Sequence, residues 1–255
     1  MSEQIERTVV ASELSVLAYL REVAAEAALL DPGTSLPADR FRTALLTDLA
    51  PGRDISVRSA LDLAERYEVV AGVGSSDETN GFQAVLVRRI PVQDQVSAVD
   101  GTPLSALGAI GDGESEYVLA IAGTEFGVDN VNDLFNADIL GIGLVGVASN
   151  QIPPLADFLE EVVAIVGDDE VEIVGHSLGG HLAMLAGTAI SSITSRVSTI
   201  NSAGISFSRI IAPLPPAGLL LPNVPLALRD LWSRFSETSL IDATPFGAIP
   251  RTVSG

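Results

Sequence analysis

Val171-Glu172-Ile173-Val174-Gly175-His176-Ser177-Leu178-Gly179-Gly180-His181-Leu182-Ala183 is the stretch from which the fold of this chain is read. A short β-branched run ends in Gly-His-Ser-Leu-Gly-Gly, and a helix-forming apolar segment follows at once. The pattern predicts a strand, a sharp turn and a helix, with Ser177 at the tip of the turn. Such an elbow forces its central residue into a strained backbone conformation, so small residues are needed on either side. Gly175 and Gly179 have no Cβ to collide with the neighbouring strand or helix, and Gly180 lets the helix lie close to the sheet. Ser177 then stands at the positive end of that helix, where backbone N–H groups can face an anion.

The surrounding chain sets limits on what such a serine can serve. Its 255 residues suffice for one large α/β domain with a sizeable core. Hydrophobic residues make up 47% and aromatics only 5%, so Ala, Val, Leu and Ile must fill that core. Mean hydropathy is +0.39, high for a soluble protein. Lys and Arg number 14 against 33 Asp and Glu, a net charge of −19. That balance argues against nucleic acid as a partner, because phosphate binding needs clustered cations. It argues equally against electrostatic docking on anionic lipid. The absence of cysteine excludes disulfides and thiolate metal ligands. No basic start followed by an apolar run opens the sequence, so no signal peptide is visible. The composition fits an exported bacterial protein, which would leave by a signal-peptide-independent route, and also a halotolerant cytosolic one. The apolar runs Ile139 to Ala148 and Ile211 to Leu221 are too short to form a transmembrane segment.

Periodicity predicts the remaining elements. Leu14, Leu17, Leu20, Val23 and Ala27 recur at helical spacing, which predicts an amphipathic helix over Glu13 to Leu30, stopped by Asp31-Pro32-Gly33. Arg40 to Leu49 and Ser56 to Tyr67 read as two more helices, so residues 1–75 are expected to form an N-terminal helical layer. Gly81 to Ile90 reads as a strand. Tyr117-Val118-Leu119-Ala120-Ile121-Ala122 is a continuous apolar run, as expected for a strand buried on both faces. Leu155 to Val166 reads as a helix, Leu178 to Ile190 as the elbow helix, and Val197 to Ile200 as the next strand. Strand and helix alternate from Tyr117 to Ile200, which predicts a mostly parallel, doubly wound α/β sheet within a single domain. Catalytic residues belong at the carboxyl ends of such strands.

Acyl transfer through serine needs a base for the hydroxyl proton and donors for the oxyanion. The residue after the nucleophile gives one donor, here the Leu178 N–H. The second is expected on the loop after a neighbouring strand, and Thr124, next to Gly123, fits by its N–H and hydroxyl. A helix N-cap is the alternative reading of Thr124.

With these residues in hand the chain resembles the class 3 (fungal-type) lipases and their bacterial relatives. The likeness rests on Ala122-Gly123-Thr124-Glu125, then Asp133, Asp138 and Gln151, the Gly-His-Ser-Leu-Gly-Gly elbow, and Asn201-Ser202-Ala203-Gly204, in that order. It runs from about Leu14 to Gly204 and departs at Ala122, where the family often has arginine. The resemblance implies an α/β-hydrolase fold, a Ser-Asp-His triad and carboxylic ester substrates, either lipid or small esters. It implies no metal or other cofactor. By that likeness Thr124 is the oxyanion residue, and Glu125 to Gln151 holds a lid whose stretch Ile139 to Ala148 faces the acyl chain; buried core is the other reading of that stretch.

The triad order in this fold is serine, acid, histidine. The acid is sought in Leu240-Ile241-Asp242-Ala243-Thr244-Pro245, a strand-like run ending in an acidic turn, with Asp242 as the candidate and Asp230 as the weaker one. A turn-forming aspartate is the alternative for Asp242. Both histidines sit at the elbow. His176 precedes Ser177 and cannot turn back to its hydroxyl. His181 is expected on a half-exposed face with Met184 and Thr188, away from a buried stripe of Leu178, Leu182 and Leu185. The triad histidine is therefore expected beyond Gly255, with the sequence in hand truncated and nearly inactive. The competing expectation is a lipase-fold domain without catalysis, serving lipid binding or structure. Phospholipid or polyester cleavage would share the same machinery.

Overall fold

The structure is a computed structural model, and it describes residues 3–48, 57–74, 82–91, 94, 115–123 and 151–202. In chain order the elements are α1 (Glu3–Leu17), α2 (Arg21–Ala27), α3 (Ala38–Asp48), α4 (Val57–Arg66), β1 (Tyr67–Val73), β2 (Ala84–Arg89), β3 (Tyr117–Ile121), α5 (Ile152–Val166), β4 (Val171–His176), α6 (Leu178–Ala189) and β5 (Thr194–Ile200). The described strands form one mixed sheet in the order β1-β2-β3-β4-β5. β1, β2 and β3 pair antiparallel, whereas β3, β4 and β5 pair parallel. The protein is thus an α/β protein whose sheet turns parallel in its C-terminal half.

Two cores lie on the two faces of this sheet, and successive strand residues feed them in turn. Leu119 and Ile121 of β3 join the core built with α5 and α6. Val118 and Ala120, between them, join the core built with the N-terminal helices. β2 divides in the same way, with Ala84 and Leu86 on one side and Val85 and Val87 on the other. This is the two-residue period of a strand buried on both faces, which a continuous apolar run predicts. Among the described residues, helices α5 and α6, which precede and follow β4, pack on one face of the sheet, and the N-terminal helices cover the other.

The helix expected over Glu13 to Leu30 is broken. α1 ends at Leu17 and α2 begins at Arg21, with the Tyr19 and Leu20 amides bonded back to Val16 and Leu17. The apolar stripe survives the break, because Leu14, Leu17, Leu20, Val23 and Ala27 are all buried. Tyr67–Val73, which falls within the expected helical layer, is instead the edge strand β1. Its buried Val69 and Ala71 pair with β2 across a bulge.

α5 has proline in its first turn, where a missing N–H removes no helical bond, and stops at Gly167 with φ 62°. Among the described residues no helix is long and apolar enough to cross a membrane.

Candidate active site

β4 runs directly into α6 through one residue, Ser177, whose φ of 56° and ψ of −122° lie far from the backbone conformations a serine prefers. A non-glycine residue held there stores about 1–3 kcal/mol of strain. The surroundings fix it. The Ser177 N–H donates to the Ile200 carbonyl at 2.9 Å, which ties the elbow to β5. Its carbonyl accepts from Gly180 N–H at 3.1 Å, closing the first turn of α6. The side chain makes no capping bond to the helix it begins, and the residue is half-buried. The hydroxyl is thus not spent on capping the helix.

The expected glycines are required by space as well as by conformation. A Cβ on Gly175 would stand 2.3 Å from the Gly179 carbonyl oxygen, and one on Gly179 would stand 2.1 Å from that of Ile121. One on Gly180 would meet Ser202 at 2.7 Å. These close approaches bring the carboxyl ends of β3, β4 and β5 against the first turn of α6. In parallel sheets that edge is where ligands are received.

Leu178 follows Ser177 as the first residue of α6 and is buried. Its N–H precedes the first intrahelical bond, so the helix offers it no acceptor. Among the described residues it has no backbone acceptor elsewhere. This is the property an oxyanion donor needs.

Gly123, at the end of β3, packs onto the elbow. Its N–H donates to the Tyr19 hydroxyl at 2.9 Å. That hydroxyl also donates to the His176 carbonyl at 3.1 Å and lies 3.2 Å from His176 Nδ1. The Tyr19 and His176 rings meet edge to face, with centroids 6.1 Å apart. Sequence reading missed Tyr19. The one signal was an aromatic residue lying off the leucine stripe, and the helix break that presents it was not foreseen.

Thr124, the expected second oxyanion residue, lies outside the described residues, although Gly123 before it is placed beside the elbow. Asp133, Asp138, Ile139 to Ala148, Asp230, Asp242, Ala203 and Gly204 also lie outside them. Gln151 is buried immediately before α5.

His181 requires a correction. It is fully buried, not half-exposed, because α6 is enclosed on nearly every side by the sheet and α5. Among the described residues no hydrogen bond joins the Ser177 hydroxyl to either imidazole. Nor does any group of three metal-ligating side chains occur among them.

No protein-family model, no curated protein and no solved structure matches this chain.

Proposed function

We propose that this protein is a serine hydrolase of carboxylic esters, of lipase or esterase type and α/β-hydrolase fold, in which Ser177 forms the acyl-enzyme. The observation that carries this reading is the Ser177 backbone, held at φ 56° between a parallel strand and a helix. A turn of that strain presents a side chain at the sheet's carboxyl edge and has no structural use for a serine as such. In the proposed reaction the Ser177 oxygen attacks the ester carbonyl and its proton passes to a base. The carbonyl oxygen gathers negative charge opposite the Leu178 and Thr124 amides. Collapse expels the alcohol, and water then releases the acid by the same route. One such donor is worth about 2.7–4 kcal/mol in the transition state. Asp242 is proposed as the acid that orients the base.

The chain's two histidines leave that base unassigned. His176 is engaged by Tyr19 and His181 is packed within α6. Loss of a triad histidine lowers turnover on the order of a million-fold. The proposal therefore gives the 255-residue chain residual turnover only, unless an imidazole is supplied. The same observation favours one other reading, a lipase-fold domain that binds lipid without cleaving it.

Chemical rescue separates the two. The chain is incubated with a p-nitrophenyl ester and free imidazole, and with a fluorophosphonate read by intact mass. Imidazole-dependent turnover above that of Ser177→Ala, with one phosphonate per chain lost in that variant, supports hydrolysis. Wild-type protein that behaves as Ser177→Ala in both assays overturns it.

A further inference from the structure

Tyr19 occupies an unusual place. Its hydroxyl joins the end of β3 to the elbow through three polar contacts, at Gly123 N–H, His176 carbonyl and His176 Nδ1. Gly123 is glycine because the hydroxyl needs the space: a Cβ there would stand 2.6 Å from it and 2.8 Å from the His176 carbonyl oxygen. A phenol has one proton and two lone pairs. Spending the proton on the His176 carbonyl leaves the lone pairs for two donors. Gly123 N–H is one. With the proton so placed, the 3.2 Å contact to His176 Nδ1 is met by an Nδ1–H donor, which places the lone pair of the neutral imidazole on Nε2. With the opposite tautomer, the phenol proton would go to Nδ1 and two oxygens would face each other at 3.1 Å with no hydrogen between them.

We propose that Tyr19 is a positioning residue of the Ser177 site, its hydroxyl setting the gap between the strand end that leads to Thr124 and the elbow that presents Leu178. This inference rests on the hydrolase reading above. It follows from the position of the clamp. Gly123 directly precedes one proposed oxyanion residue, and His176 stands two residues before the other, on the far side of Ser177. Oxyanion donors act through fixed spacing, so a clamp across their two supports acts on the transition state more than on the bound ester.

Tyr19→Phe keeps the ring and removes the clamp. Three readouts are taken on the full chain with imidazole present: ester turnover, the rate of Ser177 phosphonylation, and the ¹⁵N shifts of the His176 ring at alkaline pH. In the wild type, Nδ1 should carry the proton. In Tyr19→Phe the ring should relax toward the Nε2–H form, with kcat and the phosphonylation rate down on the order of 10-fold and KM within about 2-fold. A purely structural role would lower the unfolding midpoint without this split between kcat and KM. If Ser177 reacts equally fast in both proteins, or wild-type His176 carries its proton on Nε2, the clamp is overturned and the hydrolase reading stands. If wild-type Ser177 accepts no phosphonate, the hydrolase reading fails and the clamp's role fails with it.

Discussion

The Gly179 Cα and the Ile121 carbonyl oxygen are so close that a methyl group on the glycine would stand 2.1 Å from that oxygen. Ile121 ends β3, which is hydrogen-bonded to β2 on one side and β4 on the other, so the carbonyl has nowhere to go. Gly179→Ala is therefore expected to destabilise the protein by about 3 kcal/mol or more, beyond the usual range for overpacking. Urea unfolding followed by circular dichroism checks this. A midpoint close to wild type would mean that the elbow and β3 are farther apart than described.

Ser177→Gly should raise stability while ending any chemistry at the site. Glycine accepts φ 56° without strain, which releases about 1–3 kcal/mol and returns about 0.5–1 kcal/mol to chain entropy. A net gain of about 1 kcal/mol is expected, against little change for Ser177→Ala. Thermal and urea melts of the three proteins measure it. Equal stability of Ser177→Gly and Ser177→Ala would remove the strain.

Gly180 and Ser202 should be coupled. A Cβ on Gly180 meets the Ser202 Cβ at 2.7 Å and its Oγ at 2.9 Å, so Gly180→Ala is expected to cost about 2 kcal/mol. Ser202→Gly deletes these two atoms and leaves the Gly175 carbonyl oxygen at 3.0 Å, so relief is partial. The double variant should recover about 1 kcal/mol relative to the sum of the single changes. Additive costs in a double-mutant cycle would show that β5 does not end against α6.

Glu172 and Arg196 face each other across β4 and β5, with Arg196 Nη2 at 2.9 Å from Glu172 Oε2 and Ser198 Oγ at 2.9 Å from Oε1. The carboxylate is buried, whereas about a third of the Arg196 side chain reaches solvent. Removing the arginine strands a buried charge, while removing the carboxylate leaves a cation that water can reach. Arg196→Met should therefore cost more than Glu172→Gln, by about 1 kcal/mol in urea unfolding. The reverse order would place Glu172 in solvent.

Much of the fold was legible in local pattern. Tyr117 to Ala122 announced a strand buried on both faces through unbroken apolarity, and β3 is such a strand. Of the candidate site residues, Ser177 and Leu178 were legible because an elbow is a local backbone constraint that two glycines and a strand-to-helix change make visible. The burial of His181 is not legible from a stripe of leucines on one face. Leu178 to Ala189 is apolar nearly all round, and a helix of that kind is enclosed. The break at Ala18 to Leu20 left no signal in the spacing, since both short helices keep the same leucine stripe.

By itself the amino-acid sequence determined the alternation of strand and helix from Tyr117 to Ile200, the apolar stripe of the N-terminal helices, and a serine at a turn that only flanking glycines permit. These follow from interactions a few residues long. The tertiary structure alone decided that Tyr19 meets His176 and Gly123, which lie 157 and 104 residues away along the chain. No spacing encodes such contacts. They arise when helices and strands settle on one sheet and a hydroxyl with one proton finds the groups that fill its remaining valences.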